Sequence, residues 1–260
     1  MSTLRRILRR RTPEERFGTM TVMEHLEELR RRIVISLVAV AACAVVGWFL
    51  YPPFFKLVQH PYCNYVHSLP KANQPPAGCN FVASGLLEPM LVKVQIVIYI
   101  GIAIALPILL YQLWAFIVPG LHDRERRMVI PFVVSSVALF ALGGVVAFVT
   151  LPKGLNFLLG FAGAGVVPLI SFDRYVTFVV LLTVAFGVSF LFPVLLIFLM
   201  LVGVLNTAQL RKVRRFAILG IAIFAAVITP SSDPYTMLAM MIPMVLFYEA
   251  AIIIGRLLKR

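Results

Sequence analysis

Acidic side chains are scarce in this chain. Eleven Asp and Glu stand against 24 Lys and Arg in 260 residues, and the middles of its apolar stretches are almost free of ionisable groups. An ion-coupled carrier usually places such groups near the centre of the membrane, so their absence counts against that class. Enzyme signatures are missing as well: there is no GxSxG, HExxH, Walker-type loop or GxGxxG. Glu24-His25 is followed by Leu26-Glu27-Glu28, which does not give zinc-ligand spacing. His25, His60, His67 and His122 are scattered, so no metal or other cofactor is expected. Alternating barrel strands are absent, leaving helices as the way to cross a bilayer. No internal sequence repeat of the inverted-transporter kind is visible.

Apolar residues are abundant. They make up 61% of the chain, with a mean hydropathy of +0.95, which excludes an ordinary soluble domain. Uncharged stretches cover 33–51, 94–121, 128–152, 175–210, 216–232 and 234–248. A bilayer core needs roughly 20 apolar residues in a helix. The first four stretches reach that length, and the sixth does so by passing Glu249. The fifth offers only about 14 helical residues before Pro230, or roughly 21 Å. So short a span requires thinning of the bilayer or burial among other helices.

The net charge of +13 resembles a nucleic-acid signal, but its distribution argues against one. Nineteen of the 24 bases fall in 1–32, 123–127, 211–215 and 256–260, in every second gap between apolar stretches. The other side carries Lys56, Lys71, Lys93, Lys153 and Arg174. This is positive-inside bias, and it predicts six spans with both termini cytoplasmic. The first span is expected to be retained rather than cleaved as a signal peptide. Leu4, Ile7 and Leu8 on an arginine background suit a weak amphipathic helix on anionic lipid, with disorder as the alternative.

Local signals mark the element ends. Thr21 to Glu24 fits a capping box, and Met23, Leu26, Leu29 and Ile33 then recur at helical spacing. Pro52 and Pro53 are expected to end the first span. Glu88-Pro89 suits a helix start, Pro107 interrupts the second span and Pro119-Gly120 stops it. Asp123 can cap the third span, which is expected to end near Pro152. Asn206 or Thr207 can cap a short helix before Arg211. Cys43 lies within the first span, whereas Cys63 and Cys79 share the first exported loop. An oxidising exterior permits them to pair, and a disulfide worth on the order of 3 kcal/mol is the expectation, with free thiols the alternative.

The candidate site comes from acids lying among bases. Glu28 and Glu125 precede the first and third spans at similar membrane depth. Two carboxylates on separate segments could each receive one guanidinium of an adjacent pair, as bidentate charge-assisted contacts. Near the membrane, screening is weaker than in bulk water. Each acid also has an ordinary role. Glu28 can pair with Arg31 or Arg32 on its own helix, and Glu125 can complement a helix dipole. Glu249, close to Arg256, reads as an interfacial acid paired to a nearby base.

The stretch Glu24-His25-Leu26-Glu27-Glu28-Leu29-Arg30 resembles the HLxELR signature of TatC, the multi-span subunit of the twin-arginine protein translocase. The likeness continues in the run from Tyr111 through Trp114 to Leu121, then Glu125-Arg126-Arg127. It resumes from Ala185 to Phe190 with Pro193, and in Thr229-Pro230 followed by Asp233. It implies an all-α membrane protein with six transmembrane helices in a concave, glove-like bundle whose last two spans are short. The division is then 1–20, a basic cytoplasmic arm; 21–255, the six-span domain; and 256–260, a basic tail. The spans fall near 33–51, 94–118, 128–151, 175–203, 216–230 and 235–254.

The resemblance also implies a receptor for the paired arginines of signal peptides on folded cargo, in the cytoplasmic membrane of a prokaryote. It would work with single-span TatA/TatB-type subunits and further copies of itself, be driven by the proton gradient, and be no enzyme. Carried over, Glu28 and Glu125 bind the signal, and Arg30, Phe116, Pro119 and Arg126 shape the same patch. Asp233 and Gln112 are candidate partner contacts. Many relatives carry a glutamate in the fourth span where this chain has Leu191, so no role of that acid transfers. A secondary transporter or channel, and a scaffold that merely binds anionic lipid through its arginines, are the competing readings.

Overall fold

The computed structural model describes residues 22–69, 74–75, 78–83, 85–117, 129–160, 170–230 and 233–257. Among these lie eight helices: α1 (Val22–Ser68), α2 (Glu88–Ile117), α3 (Val129–Gly160), α4 (Phe172–Phe190), α5 (Phe192–Leu201), α6 (Thr207–Lys212), α7 (Arg214–Ile228) and α8 (Pro234–Leu257). One parallel bridge, Val82 to Ser171, is the β feature among the described residues. The all-α architecture read from the sequence is therefore observed. Among the described residues, five segments are long and apolar enough to cross a membrane: α1, α2, α3, α4 with α5, and α8. With 15 residues, α7 is about 22 Å long, the short helix that Pro230 forecasts.

Two helix ends differ from expectation. α1 does not stop at Pro52 and Pro53 but continues through them and Pro61 to Ser68. Each proline removes a backbone donor and disfavours helix in the residue before it. Tertiary packing offsets that cost. Val58, Tyr62, Tyr65 and Val66 of the extension are buried. Tyr62 stacks on Phe81 at 5.0 Å, Phe55 meets Phe172 edge-on at 5.5 Å, and the Tyr175 hydroxyl donates to the Val58 carbonyl at 2.8 Å. Aromatic pairs of this kind contribute about 1 kcal/mol each beyond burial. Likewise α3 runs past Pro152 to Gly160, anchored by buried Leu151 and Leu155.

The fourth apolar stretch breaks into α4 and α5 at Leu191. Pro193 has no N–H for the Ser189 carbonyl, and the chain tightens so that the Leu191 N–H donates to Val188 O at 3.0 Å. Glycine lets the helices approach one another. A Cβ on Gly101 would lie 2.9 Å from backbone atoms of Ala44, and one on Gly143 would lie 2.7 Å from the Phe186 carbonyl. Such small-residue crossings suit helices packed in lipid, where close van der Waals contact replaces the hydrophobic drive.

The core is continuous from the α1 extension to α8, with Phe186, Leu182 and Met240 fully enclosed. A second cluster joins Trp114, Val129, Val194 and Phe198, and the Trp114 indole donates to Ser136 Oγ at 2.9 Å. Outside the core, α1 leaves Leu37, Val38, Val45 and Phe49 exposed, as a lipid-facing surface would.

Candidate functional site

Glu28 lies early in α1, where the helix is still charged and has not entered its apolar stretch. Four residues on, Arg32 falls on the same helical face. Its Nε and Nη2 both donate to Glu28 Oε1, at 3.1 and 2.5 Å. Its Nη1 reaches across to α2 and donates to Gln112 Oε1 at 3.1 Å. The two charged side chains are each only about a fifth exposed, at 20% for Arg32 and 22% for Glu28. The second carboxylate oxygen, Glu28 Oε2, is buried and has no hydrogen-bond donor among the described residues. A buried carboxylate oxygen without a donor is costly, so this acceptor stands apart from the satisfied ones around it.

Beside this cluster a groove of about 310 Å³ opens between α1 and α2, with Leu29, Ile33, Leu113 and Phe116 among its apolar walls and Arg32 and Gln112 on its polar side. Phe116 stacks on His25 at 4.3 Å with planes 16° apart, closing the neighbouring part of the helix pair. Arg30 and Arg31 are exposed, so of three successive arginines Arg32 is the one folded inward. Met23 and Leu26 are exposed and face outward, while Leu29 and the half-exposed Ile33 line the groove.

The remaining predicted residues fall as follows. Glu125, Pro119 and Arg126 lie outside the described residues, as do the basic arm, the Thr21 cap, the Pro119-Gly120 stop and the Asp123 cap. Asp233 is 1% exposed and caps α8: Oδ1 accepts from the Thr236 N–H at 2.8 Å and Oδ2 from its hydroxyl at 2.5 Å. Its carboxylate is engaged within the chain. Gln112 serves Arg32.

The disulfide expected between Cys63 and Cys79 is not present, and both are free thiols. Cys63 sits inside the helical extension of α1, with its Sγ 4.0 Å from the Cys79 carbonyl, while Cys79 Sγ meets His67 Nε2 at 3.4 Å. The two thiols also lie within hydrogen-bond reach of one another.

Three features escaped sequence reasoning. Arg32 was legible as a helical partner of Glu28, but its bond to Gln112 was not. Glu88 does more than begin α2. It accepts from Ser171 Oγ at 2.7 Å, the Asp173 N–H at 3.1 Å and the Gly85 N–H at 3.2 Å, tying the start of α2 to the start of α4. Glu249 pairs with Arg214 of α7 at 2.6 Å rather than with Arg256, which lies about 10 Å further along α8. That pair is a charge contact rather than an aligned hydrogen bond.

A family model described as Sec-independent protein translocase protein (TatC) matches residues 24–243. The chain belongs to the TatC family. It is 42% identical over 257 residues to the Sec-independent protein translocase protein TatC of Frankia casuarinae, covering 96% of this chain and 70% of that one. The TatC of Aquifex aeolicus is 35% identical over 244 residues, covering 93% of this chain and 97% of its own. A crystal structure of the twin arginine translocase receptor TatC superposes with a TM-score of 0.71 at 34% identity, covering 91% of this chain and all of that one. The membership accounts for the conjunction of HLxELR, the Trp114 segment and the Ala185–Phe190 segment in one chain.

Proposed function

We propose that this chain is the signal-peptide receptor of a twin-arginine translocase. Glu28, together with Glu125, receives the two guanidinium groups of an export signal, and the chain acts without catalytic chemistry of its own. The observation that carries this reading is Glu28 Oε2, a buried carboxylate oxygen with no donor among the described residues, beside an apolar groove. A guanidinium supplies both the charge and the planar donor geometry that such an oxygen takes best. Arg30, Phe116, Pro119 and Arg126 complete the surface around the two acids.

The receptor sits in the cytoplasmic membrane with both termini cytoplasmic, in agreement with its arginine pattern. The excess of bases is offset by anionic headgroups, so a cationic ligand is not excluded from that face. Single-span TatA/TatB-type subunits and further copies of the chain join it, and the proton gradient drives passage of the folded cargo.

The direct test is photo-crosslinking of a twin-arginine signal peptide to the purified protein. Crosslinking should fall strongly in Glu28→Ala and in Glu125→Ala. Undiminished crosslinking in the double variant would sink the proposal and favour a scaffold that only binds lipid.

A further inference from the structure

We infer that Arg32 is a resident competitor for the ligand arginine, so that Glu28 is closed by the chain's own guanidinium until a signal displaces it; the inference rests on the receptor reading above. The geometry is that of a bound arginine. All three hydrogen bonds from Arg32 go to two acceptors of the site, two to Glu28 Oε1 and one to Gln112 Oε1. Its immediate neighbours Arg30 and Arg31 remain exposed. Gln112 contributes a carbonyl from a second helix, eighty positions away, and thereby holds Arg32 against Glu28.

Charge explains the consequence. Paired with Arg32, Glu28 presents almost no net charge to an approaching cation. A single ligand cation gains only Oε2 and meets the positive guanidinium on the same carboxylate. Tethered arginines fare better, because once one engages, the other is held close at high effective concentration. A planar guanidinium can also take over the bonds Arg32 gives up, which a lysine ammonium cannot reproduce. Arg32 has somewhere to go, since its side chain already lines the groove between α1 and α2. It thus sets an affinity threshold that favours a pair of arginines over weaker basic sequences.

The test uses the full-length protein in nanodiscs and two fluorescent signal peptides, one with twin arginine and one with twin lysine at the same positions. Arg32→Gln should bind the twin-arginine peptide about fivefold more tightly or better, since about fivefold is the upper range for an exposed ion pair and this one is largely buried. The twin-lysine peptide should gain more, so that the affinity ratio between the two narrows. Gln112→Leu, which loosens the hold on Arg32 without removing it, should move both quantities the same way by a smaller factor. Should Arg32→Gln fail to fold, Gln112→Leu decides alone. Unchanged or weaker binding, or an unchanged ratio, overturns the inference. Failure of the receptor reading looks different: Glu28→Gln in the otherwise unaltered protein would then leave twin-arginine binding intact.

Discussion

Arg32 of α1 and Gln112 of α2 are joined by a 3.1 Å hydrogen bond across eighty residues of sequence, and that bond holds a cation against the carboxylate of Glu28. A local helical pair is thereby turned into part of a two-helix site. The crossing that brings α1 to α2 lies deeper in the bundle, at Gly101 and Gly47. A Cβ at Gly47 would come within 2.9 Å of the Val97 carbonyl.

This crossing gives a first prediction. Gly101→Leu forces a side chain into backbone atoms of Ala44, which cannot yield as a flexible side chain would. Overpacking of this kind costs about 1–3 kcal/mol. The melting temperature of the detergent-purified protein should drop, and an unchanged value would mean that the crossing accommodates the side chain without cost.

Asp233 gives a second. Its carboxylate caps α8 from a fully buried position. Asp233→Ala should destabilise the protein by about 1–2 kcal/mol, the cost of a lost N-cap. Asp233→Asn keeps an acceptor oxygen and should lose less. Thermal unfolding of the two variants checks the order. Equal stability of all three proteins would mean that the cap contributes nothing.

The thiols give a third. With Cys63 and Cys79 free, non-reducing mass spectrometry after alkylation under denaturing conditions should find both labelled. Reducing agent should leave the melting temperature unchanged. A disulfide would instead have contributed on the order of 3 kcal/mol, a loss readily seen on reduction.

The ion pair at the other end gives a fourth. Arg214 and Glu249 are 55% and 31% exposed. Arg214→Gln should therefore change stability by less than about 1 kcal/mol, and by less still at high salt. Unfolding measured at low and high ionic strength checks both parts.

What could be read from sequence was what local chemistry decides. Glu88-Pro89 does begin α2, and Asn206 does cap α6, with its side chain accepting from the Ala208 N–H at 3.0 Å and Gln209 closing the box. The short α7 followed from the position of Pro230. Features that depend on packing were not legible. The continuation of α1 beyond Pro52 is held by Phe55, Tyr62 and Tyr175, residues far apart in sequence. Within the site, Glu28 stood out as an acid among bases. Arg32 was legible only as one of two helical partners for Glu28, because Arg31 and Arg32 both fall within reach of it along the helix. Its two bonds to Glu28 and the approach of Gln112 from α2 single it out.

The central claim is that Glu28 binds a ligand arginine directly, and a double-mutant cycle tests it best. Affinities would be measured for the native protein and Glu28→Gln, each against a signal peptide with both arginines and one with a single arginine replaced by glutamine, scanning the two positions in turn. At one of them the account predicts a coupling energy of about 1 kcal/mol or more, within the range for directly contacting pairs. Strictly additive losses at both positions would contradict it.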